Sequence, residues 1–463
     1  MTEKSNFSQW YHEILENAEV IDQRYPVQGM LVYRRWGLSI IRAMQNELEG
    51  MLEASGHEPI LMPVLIPEDV LGKETKHIAG FEEEVFWVTH AGKNELERKL
   101  SLRPTSETSI YEMFSLWIRA HTDLPLKVHQ SCAVYRYETK HTRPLMRGRE
   151  FLWNEGHSAH VDAVDTEKNI ADIKEIYTRL ISGLLCLPFN LSIRPEWDRF
   201  PGAVYTCAFD TIMPDGKTLQ IATVHNLGQT FSKVFGIKFE DEKGRHEHVF
   251  QASYGPSFGR LLAAAISIHG DDNGLVLPPR IAPVQAVIVP IIFKESEGIV
   301  MAFAERVADK LRGMGIRVYT DAGDGRPGAK FYRWEMKGVP LRIEIGPRDV
   351  EKNAVMAVRR DTGEKQSLSF DKIDDVRGIF TEIENNIRKS AKEKFDAMAG
   401  SAKGLEELKS KAGYGIISVG WCGGKSCAEK IEEFADILSV EEKQGVCPVC
   451  GKKGNSVKMG KSY

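Results

Sequence analysis

No apolar run in this sequence approaches the roughly 20 residues that a membrane helix needs; the longest, near residues 284–293, suits a buried strand. The opening residues Met1-Thr2-Glu3-Lys4-Ser5-Asn6 lack a basic stretch followed by an apolar one. No secretory signal is therefore expected, and the cytoplasm is the expected location. Neither sign of charge is in excess. Lys and Arg total 61 against 65 Asp and Glu, a formal net charge of −4. That excludes a chain coated in positive charge. Nucleic acid would have to meet local arginines and lysines on selected faces, and DNA is not expected as a partner. There is no internal repeat and no low-complexity tract. Cysteine is scarce, with seven in 463 residues. Cys132, Cys186 and Cys207 are scattered and read as reduced thiols, while Cys422, Cys427, Cys447 and Cys450 cluster near the end.

What is present is an ordinary globular composition, 42% hydrophobic and 27% charged, at a length that suggests about three domains. Ile40, Ile41, Met44, Leu48, Met51 and Leu52 have helical spacing, which predicts a helix over 39–55 ended by Gly56. Pro59, Pro63 and Pro67 make the next stretch extended. Thr105 or Ser106 could cap a helix bearing Ile110, Met113, Phe114 and Trp117; Asp165 or Thr166 could cap another that runs to about Leu187. Strands are expected over 203–212 and 217–222. Without regular strand–helix alternation, residues 1–280 read as an α+β domain around a largely antiparallel sheet. Leu277-Pro278-Pro279-Arg280-Ile281-Ala282-Pro283 is stiff and reads as a linker. Residues 284–385 then alternate strand and helix, the pattern of a small α/β domain. Residues 371–411, rich in Lys and Glu, predict one or two exposed helices. Residues 386–463 hold the cysteine cluster and form a third, small domain.

The chemistry-bearing stretch is 131–157. Val134 and Tyr135 lead into Arg136 and Glu138, which alternate as on one face of a strand. A basic turn follows, then Arg147, Phe151 and Glu155 at four-residue intervals. A return strand would form a hairpin carrying arginines, an aromatic ring and two carboxylates. Arginine forks suit phosphate oxygens and an aromatic ring suits a base. Taken alone, Arg136 and Glu138 fit a cross-strand ion pair equally well.

The complete pattern resembles the second signature motif of class II aminoacyl-tRNA synthetases. The helix over 39–55 and the strand with Pro63 resemble the first motif, and Ser253-Tyr254-Gly255-Pro256-Ser257-Phe258-Gly259-Arg260 the third, with Gly259 where an acidic residue often stands. Longer strings are similar to prolyl-tRNA synthetases of the archaeal and eukaryotic type: Leu102-Arg103-Pro104-Thr105-Ser106-Glu107-Thr108, Glu150-Phe151-Leu152-Trp153-Asn154-Glu155-Gly156-His157, Gly202-Ala203-Val204-Tyr205-Thr206 and His269-Gly270-Asp271-Asp272. The interval from Arg147 to Arg260 leaves no room for the large editing insertion of the bacterial type. The resemblance implies the class II catalytic fold, an anticodon-binding domain, and an ATP-dependent ligase that joins L-proline to tRNA(Pro). It implies ATP with magnesium, and a homodimer paired through the first motif.

Carried over residue by residue, the resemblance implies that Arg136 holds the α-phosphate of ATP and Arg147 the γ-phosphate. Glu138 would read the adenine amine, Phe151 and Arg260 would sandwich the ring, and Gln220 and Thr223 would lie near ribose and phosphates. Arg136 and Arg260 carry the catalytic role. For proline it implies Thr105, Glu107 and Glu155 around the imino group, Trp153, Phe200 and His225 as walls, with Arg136 and Ser253 beside them. In isolation His225 reads as a structural histidine and Trp153 as a core residue. Glu335, Arg342 and Arg348 match positions that touch anticodon guanines in relatives; a surface ion-pair cluster is the other reading.

Cys422-x4-Cys427 and Cys447-x2-Cys450, separated by nineteen residues, have the spacing of a four-thiolate structural zinc site. Two disulfides are the alternative, disfavoured in a reducing compartment. Two other classes compete for the whole chain. A catalytically dead paralogue acting as a sensor would lack the phosphate-binding arginines, yet Arg136, Arg147 and Arg260 are present. A zinc-ribbon nucleic-acid-binding protein would leave residues 1–280 without a role.

Overall fold

The computed structural model describes residues 2–73, 84–293 and 295–463. The chain opens with α1 (Phe7–Asn17), which the sequence reading does not include, and α2 (Arg35–Ala54). The spaced residues Ile40, Ile41, Met44, Leu48 and Leu52 are the face that α2 buries. The helix begins at Arg35 rather than residue 39, and Gly56 (φ 86°) makes the left-handed turn that ends it.

There follow β1 (Glu58–Pro59), α3 (Glu107–Trp117), β2 (Leu126–Tyr135), β3 (Glu150–His160), α4 (Ala163–Thr178), β4 (Asn190–Ile193), β5 (Tyr205–Ile212), β6 (Thr218–Gly228), β7 (Phe250–Pro256) and α5 (Phe258–His269). The seven strands form one sheet in the order β1-β2-β3-β7-β6-β5-β4. All neighbours are antiparallel except β1 and β2. This is the expected α+β catalytic fold.

Side-chain alternation divides the sheet into two faces. Phe209, Leu219, Ile221, Val224, Ala252 and Tyr254 point into one buried cluster with Ile40, Met44 and Leu48 of α2, Ile170 and Tyr177 of α4, and Leu261 and Leu262 of α5. Each large side chain so buried contributes about 1.5–3 kcal/mol. Gly156 lies against the ring of Tyr254, where a Cβ would come within 2.1 Å. The intervening residues Trp153, Glu155, Thr223, His225 and Ser253 face the other way and line a cleft.

Two caps differ from expectation. Ser106 does stand at the N-cap of α3, but its side chain makes no cap hydrogen bond. The cap of α4 is Asp162, whose carboxylate accepts from the Asp165 N–H at 2.8 Å, rather than Asp165 or Thr166. A π-helical turn over Arg179–Leu184 carries α4 toward its expected end.

The segment 277–283 is packed rather than free. Leu277, Ile281 and Ala282 are buried, and the Arg317 guanidinium donates to the carbonyls of Pro279, Arg280 and Ala282 at 2.9–3.0 Å. Beyond it lie β8 (Ala286–Pro290), α6 (Glu297–Gly313), β9 (Val318–Thr320), α7 (Pro327–Met336), β10 (Leu341–Ile345), β11 (Ala354–Arg359) and β12 (Lys365–Ser369). Their sheet runs β9-β8-β10-β11-β12, parallel among the first three strands and antiparallel beyond. The antiparallel pair β11 and β12 is not in the sequence reading.

A single helix, α8 (Val376–Ala397), leads onward and buries Ile379, Phe380, Ile383 and Ile387. The last unit comprises β13 (Ala399–Ala402), α9 (Leu405–Lys411), β14 (Ile416–Trp421), α10 (Lys425–Glu432), β15 (Asp436–Val446) and β16 (Lys453–Gly460), with strand order β13-β14-β16-β15. Its final residues return to the catalytic sheet. Thr218 N–H donates to Lys461 C=O at 2.9 Å and Tyr463 N–H to Thr218 C=O at 3.2 Å. Among the described residues no helix is long and apolar enough to cross a membrane.

Candidate active site and cysteine cluster

The cleft on the open face of the large sheet has a volume of about 450 Å³. Its floor is the hairpin β2–β3, paired Gln130 to Glu155, Cys132 to Trp153 and Val134 to Phe151. Strand pairing ends at Tyr135, so Arg136 and Glu138 lie just past β2 and not within it. Arg136 N–H still donates to Arg149 C=O at 3.0 Å, and this holds the hairpin closed at its rim.

Three arginines converge here, each tethered by backbone or carboxylate oxygen. Arg136 Nε donates to Pro104 C=O at 3.0 Å. Arg147 donates to Glu138 at 3.2 Å and to the backbone oxygen of Tyr463, the last residue, at 2.6 Å. Arg260 Nε donates to Met146 C=O at 2.9 Å and Nη1 to Gln220 C=O at 3.0 Å. Loss of hydration lowers Arg136 from its ordinary value. Burial first, then the charges of Arg136 and Arg147, bring Arg260 down to about 10. All three remain cations at neutral pH. They repel one another, and an anion entering the cleft relieves that repulsion.

Aromatic rings line the same wall. The Arg136 guanidinium stands 5.4 Å from the Phe151 ring and 5.6 Å from Trp153, whose rings meet edge to face at 5.9 Å. Across the cleft Phe200 stacks on His225 at 4.5 Å. His225 Nδ1 lies 2.9 Å from Thr206 Oγ1, which in turn accepts from Phe200 N–H at 2.9 Å. Thr105 Oγ1 donates to Glu107. Glu155 is buried and accepts from Ser106 Oγ at 2.6 Å, which is where the Ser106 side chain goes instead of capping α3.

Thus Thr105, Glu107, Arg136, Glu138, Arg147, Phe151, Trp153, Glu155, Phe200, Gln220, Thr223, His225, Ser253 and Arg260 all border one cleft. Sequence reasoning missed several neighbours. Arg194 makes a two-pronged pair with buried Asp210 at 2.7 and 2.9 Å, and also donates to Gln220 Oε1 at 3.0 Å and Leu438 C=O at 3.1 Å. Tyr463 donates its hydroxyl to Asp215 at 2.6 Å and lies under Arg143 at 4.9 Å. Glu84 lines the cleft, its carboxyl raised above the ordinary range by burial.

Elsewhere, Glu335 and Arg342 meet at 2.5 Å, with Arg342 also held by Glu344 at 3.0 Å and stacked over Phe331 at 4.2 Å. Arg348 lies in the short helix Pro347–Glu351 after β10, outside that cluster. The sulfurs of Cys422, Cys427, Cys447 and Cys450 all lie within 4.8 Å of one another. A tetrahedron with metal–sulfur bonds of about 2.3 Å has edges of about 3.8 Å, so the four donors fit one four-thiolate ion after a small inward movement. Burial raises the Cys447 thiol, but the N–H groups of Cys450, Val449 and Cys422 outweigh it and bring the group to about 7.

Residues 86–269 match the family model "tRNA synthetase class II core domain (G, H, P, S and T)", and residues 285–376 match "Anticodon binding domain". The chain is 49% identical to the proline–tRNA ligase of Thermococcus kodakarensis, over 98% of this chain and 96% of the relative. It is 46% identical to that of Methanopyrus kandleri, over 100% and 97%. Among solved structures it is similar to Giardia lamblia prolyl-tRNA synthetase in complex with prolyl-adenylate, with TM-score 0.96, 36% identity and coverage of 100% of this chain and 99% of that one. It is also similar to the Cryptosporidium parvum enzyme complexed with halofuginone and AMPPNP, with TM-score 0.94, 34% identity and the same coverage.

The crowding of like charges yields a prediction independent of turnover. Inorganic pyrophosphate at 100 times its dissociation constant should stabilise the native state by about 2.7 kcal/mol, raising the melting temperature by roughly 3 °C. Arg147→Ala combined with Arg260→Ala should abolish most of that rise in a thermal-shift titration. An undiminished rise in the double variant would contradict the assignment.

Proposed function

The chain belongs to the family of proline–tRNA ligases, and we propose how its cleft carries out the reaction. L-Proline and ATP react to give prolyl-adenylate and pyrophosphate, and proline then passes to the 3′ end of tRNA(Pro). The proline carboxylate oxygen attacks the α-phosphorus as the bond to the pyrophosphate oxygen breaks in line. No side chain has to remove a proton in this step. Placement of the reactants and compensation of phosphate charge supply the rate.

In this reading Arg136 binds the α-phosphate, Arg147 the γ-phosphate, and Glu138 the adenine amine. Phe151 and Arg260 enclose the adenine, and Gln220 and Thr223 lie along ribose and phosphates. The convergence of three tethered guanidinium groups on one cleft is the observation that carries the proposal. ATP comes with magnesium, whose charge adds to that of the arginines on the phosphates. The proline end pairs the stacked Phe200 and His225 with Trp153 as walls for the pyrrolidine. Ser253 borders the pocket. Thr105, Glu107 and Glu155 supply acceptors for the secondary ammonium.

The unit over 285–376 would hold the anticodon, with Glu335, Arg342 and Arg348 as its base readers. In the unbound chain Arg342 is engaged with two carboxylates, so reading a base requires exchanging those partners. The cytoplasm is the compartment proposed for this work. The last 78 residues or so, 386–463, would form a zinc-stabilised module whose end secures Arg147.

The chain is proposed to act as a symmetric homodimer. Leu61 is 79% exposed beside the edge strand β1, with Val64 and Leu65 also exposed, an apolar strip that a second copy would cover. Light scattering at micromolar concentration should give twice the chain mass of 52.1 kDa; a monomer mass would reject the dimer.

Two further outcomes test the site itself. Arg136→Ala should lower proline-dependent ATP–pyrophosphate exchange by about 10²-fold or more while the protein stays folded. Exchange near the wild-type rate would remove Arg136 from the reaction. Metal analysis of protein prepared without chelator should find one zinc per chain, and Cys447→Ser should release it and loosen the C-terminal unit more than the catalytic sheet. Zinc-free, fully folded wild-type protein would end that assignment.

A further inference from the structure

Glu155 is 2% exposed and both of its oxygens have hydrogen-bond partners in the protein. Oε1 accepts from Ser106 Oγ at 2.6 Å and Gln130 Nε2 at 2.7 Å, with the Cys132 thiol at 3.6 Å. Oε2 accepts from Ser106 N–H at 3.1 Å and lies 3.2 Å from His157 Nε2. His157 Nδ1 in turn lies 3.2 Å from the Tyr111 hydroxyl, which can donate to it and leave Nε2–H to face Glu155. None of these four partners is an arginine or lysine. The carboxylate is thus held in place by dipoles; Arg136 in the same cleft feels its charge without hydrogen-bonding to it among these contacts, and a second cation entering the cleft can match it directly.

Gln130 has a distinct place in this arrangement. It is 2% exposed and sits directly opposite Glu155 across the hairpin. Its Oε1 accepts from Met62 N–H at 2.9 Å. A backbone N–H can only donate, so the amide oxygen must face Met62 and the amide nitrogen must face Glu155 and Ser106. Nε2 reaches Ser106 Oγ at 3.0 Å as well. Met62 is itself fixed, because its C=O accepts from Arg103 Nη1 at 2.8 Å. The orientation of one amide therefore connects the extended segment around Met62 to the carboxylate at the base of the cleft.

We propose that Gln130 is a positioning residue for proline: anchored by Met62, it fixes Glu155 so that its charge faces the substrate's secondary ammonium. This rests on the functional reading above. It predicts an effect confined to one substrate, since the triphosphate arginines do not contact Gln130.

The test is steady-state exchange kinetics on full-length folded protein, varying proline and ATP separately. Gln130→Met keeps the volume but removes both the donor to Glu155 and the acceptor for Met62. It should raise KM for proline by about 10-fold or more, with kcat and KM for ATP changed less than about 3-fold. Gln130→Glu supplies a second readout. Protonated, the new side chain can still accept from Met62 and donate to Glu155; ionised, it places two carboxylates together. Its KM for proline, relative to wild type, should be near unity at low pH and rise several-fold as pH increases from about 6 to 8.5. A merely structural role would instead move both KM values together, with no pH trend in the ratio. An unchanged proline KM in folded Gln130→Met, or an equal rise in KM for ATP, would overturn the proposal. Wild-type exchange that does not depend on proline would instead overturn the functional reading.

Discussion

The mutual repulsion of Arg136, Arg147 and Arg260 is the constraint on which the rest of the structure depends. Three guanidinium groups confined in one cleft disfavour one another, and burial together with the charges of Arg136 and Arg147 brings Arg260 down to about 10. They stay together because each is tied to a fixed oxygen: Pro104 C=O, Glu138 and the Tyr463 backbone, Met146 and Gln220 C=O. Those oxygens come from four separate regions of the chain. Their convergence requires the sheet, the loop before α3, the basic turn of the hairpin and the returning C-terminus to be built together. Phosphate oxygens arriving there would relieve that repulsion, as charge compensation in phosphoryl transfer demands.

The antiparallel sheet is suited to this because its two faces are chemically independent. Leu219, Ile221 and Val224 of β6 and Ala252 and Tyr254 of β7 enter the apolar layer under α2, α4 and α5, and the residues between them on the cleft side are free to be polar, charged or aromatic. The helical layer supplies stability; the cleft face can then carry like charges and buried carboxylates that are locally unfavourable. Gly156 shows how tightly the two are joined, since its missing Cβ is the space that the Tyr254 ring occupies one residue away from Glu155.

Much of this was legible in the sequence for a physical reason. The apolar face of α2 recurs at helical spacing, so periodicity exposes it, while the hairpin's arginines, ring and carboxylates fall within 25 or so residues and were legible through their resemblance to a family motif. The cysteine ligands are legible through short spacings imposed by metal geometry. What was not legible depends on distant partners. Tyr463 reaches Arg147, Arg194 reaches Leu438, and Gln130 joins Met62 to Glu155, pairings that no local pattern encodes. Ser106 is instructive: it has the residue type and position of a helix cap, but a buried carboxylate competes for its hydroxyl and wins. At α4 the sequence suggested Asp165 or Thr166, but the backbone places Asp162 at the cap, where its carboxylate accepts from the Asp165 N–H three residues on.

The central claim is that the three arginines are a preformed receptor for the triphosphate, with proline seated at the Glu155 end. The most direct measurement is a crystal structure of this chain with L-proline and a non-hydrolysable ATP analogue. The account predicts the α-phosphate on Arg136, the γ-phosphate on Arg147, the adenine between Phe151 and Arg260, and the pyrrolidine against Phe200 and His225, with the tethering oxygens where they stand now. A triphosphate bound away from these three guanidinium groups, or proline outside the Phe200–His225 wall, would contradict it.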